Sequence, residues 1–275
     1  MRKQRLPTSK TMNIVEKIGS VILGTVRETG EVLKLLGDTI YWLVIGPVKN
    51  KFVKSDSIFA QMVFAGVGSL IIALFVLFFT GIVIAMQSAY QLARFGANIY
   101  VAPMVGVSIV RELGPVLTAL VVAGRVGAAI TAELGTMKVT EQIEALETMA
   151  LNPIRFLVVP RFLALIIMLP CLTIFADLMG MFGGFLIGVF NLGLDPYRYI
   201  TFSFKFMLWK DVWTGLVKSF VFGIVISMVG CYMGLKTKGG AEGVGKATTL
   251  SVVTSFVLIV LFDCILTGLF YFANK

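Results

Sequence analysis

Four charged residues stand in apolar stretches where ionic side chains are costly. Arg111 and Glu112 are adjacent within SIVRELGPVLTAL, and Asp211 and Lys218 lie seven residues apart in a later apolar stretch. A charge in hydrocarbon costs at least about 2.5–3.5 kcal/mol, so such groups face the protein interior or a water-filled cavity. Seven residues make about two helical turns, so Asp211 and Lys218 should share one helix face. Together the four residues are typical of a path for polar lipid head groups.

Four other charged residues inside apolar stretches have two interpretations. These residues are Arg125, Glu133, Asp177 and Asp263. They either pair between helices, or they form the midplane ion path of an ion-coupled secondary transporter or channel. The second interpretation predicts pseudo-symmetry between the two halves of the chain, and the hydropathy pattern shows none. Both interpretations remain open at this point.

The sequence carries few of the residue types that enzymes and metal sites use. It contains no histidine, and its three cysteines lie in apolar runs without metal-ligand spacing. The stretch GGAEGVGKAT almost matches a phosphate-binding G-x-x-x-x-G-K-[ST] loop, but Ala247 stands where the magnesium-binding hydroxyl is required. We therefore predict no catalytic residue, no metal site and no ATP bound by this chain, and we read GGAEGVGKAT as a flexible turn before the last apolar stretch.

The composition indicates a membrane protein. Of 275 residues, 57% are hydrophobic and 14% are charged, and the mean hydropathy is +0.92, whereas soluble domains carry roughly 25% charged residues. Five apolar stretches each exceed the roughly 20 residues that cross a bilayer. They cover residues 58–86, 104–134, 162–190, 212–235 and 248–272. Glycines and a proline could split the second into a shorter, re-entrant-like helix pair. We expect an all-α membrane protein with about five transmembrane helices.

The distribution of basic residues predicts how the chain is oriented. With the N-terminus in the cytoplasm, sixteen of the 24 Lys and Arg residues lie on the cytoplasmic side and five on the opposite side. Basic residues collect on the cytoplasmic side of membrane proteins. The C-terminus is therefore predicted to be periplasmic, and Arg111, Glu112, Asp211 and Lys218 fall towards the outer half of the membrane.

The segment before the first apolar stretch has a separate character. Residues 1–12 form a basic tail, and residues 13–50 show helical apolar spacing interleaved with charges. This pattern predicts a helix lying in the membrane interface, with an ordinary amphipathic cytoplasmic helix as the alternative. We treat residues 13–275 as one domain. Gly180, Gly184 and Gly188 repeat every four residues and predict a close helix contact, either within the chain or between two copies.

The stretch GTMKVTEQIEALETMALNP predicts a short cytoplasmic helix at residues 140–150, between the second and third apolar stretches. Apolar and acidic residues fall on opposite sides of a helical projection. Thr140 is predicted to cap the first turn and Pro153 to end the helix. The apolar side includes Ile143, Leu146 and Met149, and the acidic side consists of Glu141, Glu144 and Glu147. The helix either only joins two spans or lies in a groove on a cytoplasmic partner.

Three stretches resemble one known family. RELGP (111–115), AGRVGAAITAELGTMKVTEQIEALETMALNP (123–153) and GVGKATTLSVV (243–253) are similar to the permease subunits of the MlaE/YrbE family. These are membrane components of ABC-type phospholipid transporters that work with MCE-domain proteins. The resemblance implies a homodimer in a bacterial inner membrane that takes phospholipid as substrate and helps to maintain outer-membrane lipid asymmetry. It implies no interaction with nucleic acid.

The resemblance also implies partners and roles for residues. Cytoplasmic ABC ATPase subunits would hold the ATP and Mg²⁺, a hexamer of MCE-domain subunits would lie in the periplasm, and a small STAS-type regulatory subunit is a further partner. The helix at residues 140–150 would be the coupling helix that fits into the ATPase. Arg111, Glu112, Asp211 and Lys218 would border an outward lipid pocket, with Leu92 and Phe95 as apolar walls for acyl chains.

Overall fold

The described part of the protein is helical throughout. The computed structural model describes residues 14–48 and 55–273, and within these ranges it contains no strand. The helices are α1 (Ile14–Val48), α2 (Ser55–Ala65), α3 (Val67–Ala93), α4 (Val101–Ser108), α5 (Gly114–Val122), α6 (Ala128–Val139), α7 (Gln142–Thr148), α8 (Val159–Leu186), α9 (Pro196–Phe206), α10 (Trp209–Leu235) and α11 (Gly240–Ala273). The prediction of an all-α protein is confirmed.

Among the residues that the structure describes, five helical runs are long and apolar enough to cross a membrane, as predicted. They cover Ser55–Ala93, Asn98–Val139, Ile154–Asn191, Trp209–Leu235 and Gly240–Phe272, and we call them the first to fifth spans. Each span begins a few residues before the apolar stretch that was predicted for it, because the helix continues into flanking residues outside that stretch. The stretch at residues 240–247 is one example. It forms the first two turns of α11, so the prediction of a flexible turn there was wrong.

The second span is one continuous helical run and is not split into a re-entrant pair. Its α-helical parts are joined by two π-helical turns, Ile109–Leu113 and Ala123–Gly127. A π turn adds a residue to the helix and absorbs local irregularity without breaking the run, and such turns are frequent at functional sites. The first π turn carries Arg111 and Glu112, and the second carries Arg125. The irregular composition of this span therefore produces bulges rather than a break.

Close backbone contact joins the first and third spans. A Cβ atom on Gly81 of α3 would lie 1.9 Å from the carbonyl oxygen of Gly180 on α8, so no side chain fits at this crossing. The predicted close contact of the glycine repeat thus forms within the chain. One buried apolar cluster lies between the first, second and third spans, around Leu77, Val105 and Ile109. A larger cluster lies between the second, third and fourth spans.

A short amphipathic helix, α9, lies between the third and fourth spans, where the sequence analysis expected only a connection. The Asp195 carboxylate accepts a hydrogen bond from the backbone N–H of Arg198 at 2.9 Å, and Pro196 occupies the first turn. This is a standard helix start. The Asp-Pro pair before helically spaced apolar residues was the sequence signal that could have revealed α9.

The long helix α1 is attached to the rest of the chain by contacts with the end of the fourth span and the start of the third. Lys236, just after α10, forms ion pairs with Glu28 and Glu31 of α1 at 3.4 and 3.2 Å. The Tyr232 hydroxyl donates to Glu31 Oε2 at 2.8 Å, and the Arg155 guanidinium lies 5.9 Å from the Trp42 ring centroid. The interfacial placement of α1 remains a prediction. The basic tail and residues 13, 49 and 50 lie outside the described residues.

Candidate functional site

A buried lysine joins three of the spans. Lys218 of α10 is fully buried, and its ammonium group contacts Glu112 of the second span and Asp263 of the fifth. The Lys218 Nζ–Asp263 Oδ1 distance is 2.8 Å, and Nζ also donates to Thr267 Oγ1 at 2.7 Å. Nζ donates hydrogen bonds to Glu112 Oε2 and Thr267 Oγ1, whereas its contact with Asp263 is an ion pair, because Asp263 Oδ1 accepts no hydrogen bond among the described residues. We call Glu112, Lys218, Asp263 and Thr267 the lysine cluster.

A second ion pair lies beside the lysine cluster. Arg111 Nε is 3.6 Å from Asp211 Oδ1, and Asp211 Oδ2 accepts from the backbone N–H of Leu208 at the start of α10 at 2.9 Å. The Arg111 side chain is 35% exposed and that of Asp211 is 11% exposed. Adjacent residues of one π turn thus contact two positions of α10 that lie two helical turns apart. The structure brings together all four residues that the sequence singled out first.

Asp263 and Thr267 are functional candidates that sequence reasoning misplaced or missed. Asp263 was grouped with the midplane charges, and Thr267 was not considered. The two residues are four positions apart on α11, so they lie on one helix face. This spacing was a signal in the sequence, but nothing in the sequence indicates that this face of α11 packs against Lys218.

Arg125, in the second π turn, connects the second span to the bend in the first. Its Nη1 donates to the carbonyl oxygen of Phe64 at 3.1 Å and to the Ser69 hydroxyl at 3.0 Å. Its guanidinium also lies 5.3 Å from the Phe64 ring centroid. These contacts surround the junction between α2 and α3, so they favour a structural role for Arg125.

The other midplane candidates lie in separate places. Glu133 pairs with Arg161 at 2.8 Å, near the start of the third span. Asp177 packs against Gly114, where an added Cβ would lie 1.6 Å from Asp177 Oδ1, and this oxygen has no hydrogen-bond partner among the described residues. Within residues 14–48 and 55–273, no ion pair links Arg125, Glu133, Asp177 and Asp263 to one another. The geometry does not assemble them into one path.

Leu92 and Phe95, which were predicted to form apolar walls of the lipid pocket, lie in different surroundings. Leu92 is partly buried and packs against the apolar cluster around Val105 and Ile109. Phe95 follows α3 and is 82% exposed. In the described part of the chain, no group of three or more His, Cys, Asp or Glu residues is arranged to hold a metal ion.

The predicted coupling segment contains a helix that is shorter than expected. The helix α7 covers Gln142–Thr148. Ile143 is buried and Leu146 packs beside it on the chain's own apolar core, whereas Met149 is exposed. The predicted apolar side is therefore divided between the chain's own core and the surface. Among the acids, Glu141 and Glu147 are exposed.

Glu144 ties α7 to the second span. Its carboxylate pairs with Lys138 of α6, and the hydrogen bond from Lys138 is the main reason why the pKa of Glu144 lies below its ordinary value. Only Thr140 and Glu141 separate α6 from α7. The short connection and the ion pair together fix α7 to the end of the second span.

Both predicted ends of the coupling helix were wrong. The Thr140 hydroxyl donates to the Thr136 carbonyl oxygen at 2.8 Å and belongs to the end of α6, so it does not cap α7. At the other end, Ala150 has a left-handed φ of 57°. The backbone N–H groups of Ala150 and Leu151 donate to the carbonyls of Glu147 and Leu146 at 2.9 and 3.0 Å. This is a Schellman end, so the helix stops before Pro153.

Long apolar helices that enclose buried ion pairs, with a short amphipathic helix in one connection, define a multi-pass helical membrane protein. The chain belongs to the MlaE permease family, because the family model described as Permease MlaE matches residues 58–269. This result confirms the resemblance noted in the sequence.

Three relatives show the range of similar proteins. The chain is 33% identical over 266 residues to the intermembrane phospholipid transport system permease protein MlaE of Haemophilus influenzae, covering 96% of this chain and 99% of that protein. It is 46% identical over 214 residues to a probable ABC transporter permease protein of Rickettsia typhi, covering 78% and 83%. It is 36% identical over 211 residues to the chloroplastic protein TRIGALACTOSYLDIACYLGLYCEROL 1 of Arabidopsis thaliana, covering 77% and 60%.

Proposed function

We propose that this chain is the permease subunit of an ABC transporter that moves phospholipids between the inner membrane and a periplasmic MCE-domain protein, with ATP hydrolysed by a separate subunit. The observation that carries the proposal is the pair of ionic contacts that Arg111 and Glu112 make to α10 in a chain of the MlaE family. The H. influenzae relative is named for intermembrane phospholipid transport, and the R. typhi relative for ABC transport.

The two basic residues have different parts in the proposed lipid path. Lys218 is fully buried and its ammonium group contacts two carboxylates of the lysine cluster, so a lipid phosphate would have to displace a carboxylate to reach it. Arg111 has five N–H donors and is held by one ion pair at 3.6 Å. A guanidinium matches the geometry of a phosphate oxygen pair well. We therefore assign Arg111 to contact with the head group and Lys218 to positioning the spans around it.

One continuous stretch of helix connects the end of α6, next to the coupling helix, to the head-group site at Arg111 and Glu112. From Val139 to Glu112 the second span is an uninterrupted helical run, which at 1.5 Å per residue covers about 40 Å. A displacement of α7 therefore reaches Arg111 and Glu112 through one helix. No step needs a nucleophile, acid or base from this chain, so its proposed contribution is mechanical and the chain is not an enzyme.

The proposed assembly places partners on both sides of the membrane. Exposed Glu141, Glu147 and Met149 of the coupling segment would contact the cytoplasmic ATPase subunits, which would bind the ATP and Mg²⁺. The chain would act as a homodimer, with the MCE hexamer on the periplasmic side and a STAS-type subunit as a further partner. The N-terminus would be cytoplasmic and the C-terminus periplasmic, as the basic residues indicate.

The ion-coupled alternative is weaker. It needs a chain of polar groups across the membrane, whereas Arg125, Glu133 and Asp263 each pair with a different partner. Asp177 is the one of these four that favours the alternative, because among the described residues it forms no ion pair and its Oδ1 accepts no hydrogen bond.

Purification of the tagged full-length chain tests the proposal. Glu141→Lys/Glu147→Lys reverses two exposed charges of the coupling segment, and Glu242→Lys reverses an exposed charge of α11 as the matched control. We expect the native protein and the control to co-purify with an ATPase and with phospholipid, and the double variant to lose the ATPase while retaining phospholipid. Native protein that carries no ATPase and shows no ATP-dependent phospholipid transfer in vesicles would contradict the proposal.

A further inference from the structure

A cavity lies between α4, α8 and α9, apart from the lysine cluster. Its volume is about 260 Å³, and apolar side chains form most of its surface. Val105 of α4, Phe185 of α8 and Ile200 of α9 are among the residues that line it. The lysine cluster is built instead from the first π turn of the second span, α10 and α11. The cavity is therefore a separate place on the molecule.

Tyr199 holds α9 in the position that forms this cavity. Its ring lies on the end of the third span, where an added Cβ on Gly188, two residues after α8, would be 2.2 Å from the ring edge. The rings of Tyr199 and Phe185 meet edge to face with centroids 5.6 Å apart. The glycine side of α8 thus accepts the tyrosine ring, and the rest of α9 bridges the gap towards α4.

The hydroxyl group of Tyr199 has no hydrogen-bond partner among the described residues, although the residue is only 4% exposed. Buried polar groups are nearly always hydrogen-bonded, so a partner is expected from outside the chain. The hydroxyl is protonated at physiological pH and is therefore a hydrogen-bond donor, and burial raises the pKa of Tyr199 further, to about 12. A ligand in this cavity should therefore combine an apolar body with a hydrogen-bond acceptor.

The mouth of the cavity opens towards the surface that lipid would cover. Leu178 and Phe182 of α8 and Phe204 of α9 line the cavity and also expose about half of their area. The third span crosses the membrane, and α9 is an amphipathic helix next to exposed Trp209. Such helices lie at the boundary between head groups and acyl chains, where tryptophan also collects. The ester groups of phospholipids are found at this depth.

We propose that this cavity binds one acyl chain of a membrane phospholipid, and that the Tyr199 hydroxyl donates a hydrogen bond to its ester carbonyl. The ligand class follows from the apolar lining, the opening towards the bilayer and the unpartnered donor. Binding requires only that the chain lies in a membrane. It can therefore fail while the proposed transport holds, or hold while the proposed transport fails.

A photoactivatable lipid tests this site on the full-length chain. The protein is placed in vesicles of phosphatidylethanolamine and phosphatidylglycerol that contain a trace of phosphatidylethanolamine with a diazirine in one acyl chain. After illumination, labelled peptides are quantified by mass spectrometry. We expect saturable labelling of residues 178–185 and 199–204, at least about fivefold above that of residues 71–79 on the exposed face of α3.

Two variants with matched controls distinguish a specific lipid-binding site from the lipid that surrounds any membrane protein. Tyr199→Phe should lower the labelling roughly threefold to tenfold, the effect of one hydrogen bond, and Ile200→Trp should block the half-exposed mouth. The controls Tyr90→Phe and Ile71→Trp change exposed residues of α3 and should have no effect. Equal labelling of the cavity and α3, or unchanged labelling in Tyr199→Phe, would overturn the proposal. So would loss of labelling in the complex isolated from cells, because a protein segment would then cover the cavity.

Discussion

Glu112 and Lys218 are 106 residues apart in the sequence, and their side chains form an ion pair between the second and fourth spans. Asp263 joins the same ammonium group from the fifth span at 2.8 Å. One fully buried cation thus joins three helices, which Thr131 also links through hydrogen bonds to the Gly230 carbonyl oxygen and the Ser251 hydroxyl at 3.2 and 2.8 Å. The stability of this part of the protein should depend on that cation more than on either acid.

Replacement of Lys218 by methionine should destabilise the protein by more than the loss of an exposed ion pair does, because the partly buried carboxylates of Glu112 and Asp263 lose their shared counter-ion. Thermal unfolding in detergent measures the change. Lys246→Met is the matched control, since Lys246 pairs with Glu242 on the exposed face of α11, where ion pairs contribute about 0.3–0.5 kcal/mol. Equal loss of stability in the two variants would show that the lysine cluster does not connect the spans.

Arg111→Gln should impair transport with little loss of stability. The Arg111 side chain is partly exposed and makes a long ion pair, so its removal costs the fold little. Loss of a charged hydrogen bond to phosphate should slow ATP-driven transfer of a fluorescent phospholipid roughly tenfold or more. Arg111→Lys keeps the charge but not the planar donor group, and it should restore transfer only in part. Transfer at the native rate in Arg111→Gln would remove Arg111 from the head-group site.

Ala150→Gly should stabilise the end of the coupling helix by about 1 kcal/mol, because alanine pays a steric cost in the left-handed region that glycine avoids. Hydrogen exchange of the backbone N–H groups at 150 and 151 should slow in this variant. Ala150→Val should have the opposite effect, since a β-branched residue fits a positive φ least well. Faster exchange in the glycine variant would contradict the Schellman end.

Attachment of α1 should weaken in acid. Hydrogen bonds from Tyr232 and then from Lys236 lower the pKa of Glu31 below its ordinary value of 4.5. The folded form therefore binds the Glu31 proton less readily than the unfolded form. The resulting stabilisation is present above pH 4.5 and is lost as the pH falls through the lower, folded value. A spin label at exposed position 33 should become more mobile in that acidic range.

The neutral variant Glu31→Gln provides the control for this titration. It should show raised mobility of the label already at neutral pH and little further change in acid. A label whose mobility depends on pH equally in Glu31→Gln and in the native protein would assign the transition to another group.

Asp177→Asn separates the two functional interpretations. Asp177 has no counter-ion among the described residues, so an amide of the same shape should fold normally and leave ATP-driven phospholipid transfer unchanged. The ion-coupled alternative predicts instead that transport stops when this carboxyl group is lost. Flux measured in vesicles with and without an ion gradient distinguishes these results.

Sequence reasoning located the spans because bilayer thickness and hydropathy fix their number and approximate position without reference to tertiary structure. It located Arg111, Glu112, Asp211 and Lys218 because charges in apolar stretches are conspicuous. It could not place Asp263 with Lys218, since the rotation of α11 about its own axis depends on packing against two other spans.

Local geometry was harder to predict. The π turns that carry Arg111 and Arg125 have no residue signature, because they arise when a helix adjusts to its neighbours. Thr140 was predicted to cap the coupling helix, but its hydroxyl donates to the Thr136 carbonyl oxygen in the preceding helix, α6. The end of α7 was misplaced because alanine rarely adopts the left-handed conformation that Ala150 shows.

The contact between Gly81 and Gly180 determines which parts of the permease can move. Backbone against backbone leaves no side chain that could change rotamer and so permit sliding, and the first and third spans should therefore travel together as one rigid body. The fourth span makes similar contacts, because a Cβ on Gly215 would lie 2.2 Å from the carbonyl oxygen of Val110 in the second span and one on Gly223 would lie 2.9 Å from that of Leu165 in the third. The fifth span meets the lysine cluster through the side chains of Asp263 and Thr267 instead. Any cycle of opening and closing should therefore be concentrated at the fifth span, and a glycine-to-alanine change at position 81 should abolish folding rather than alter the cycle.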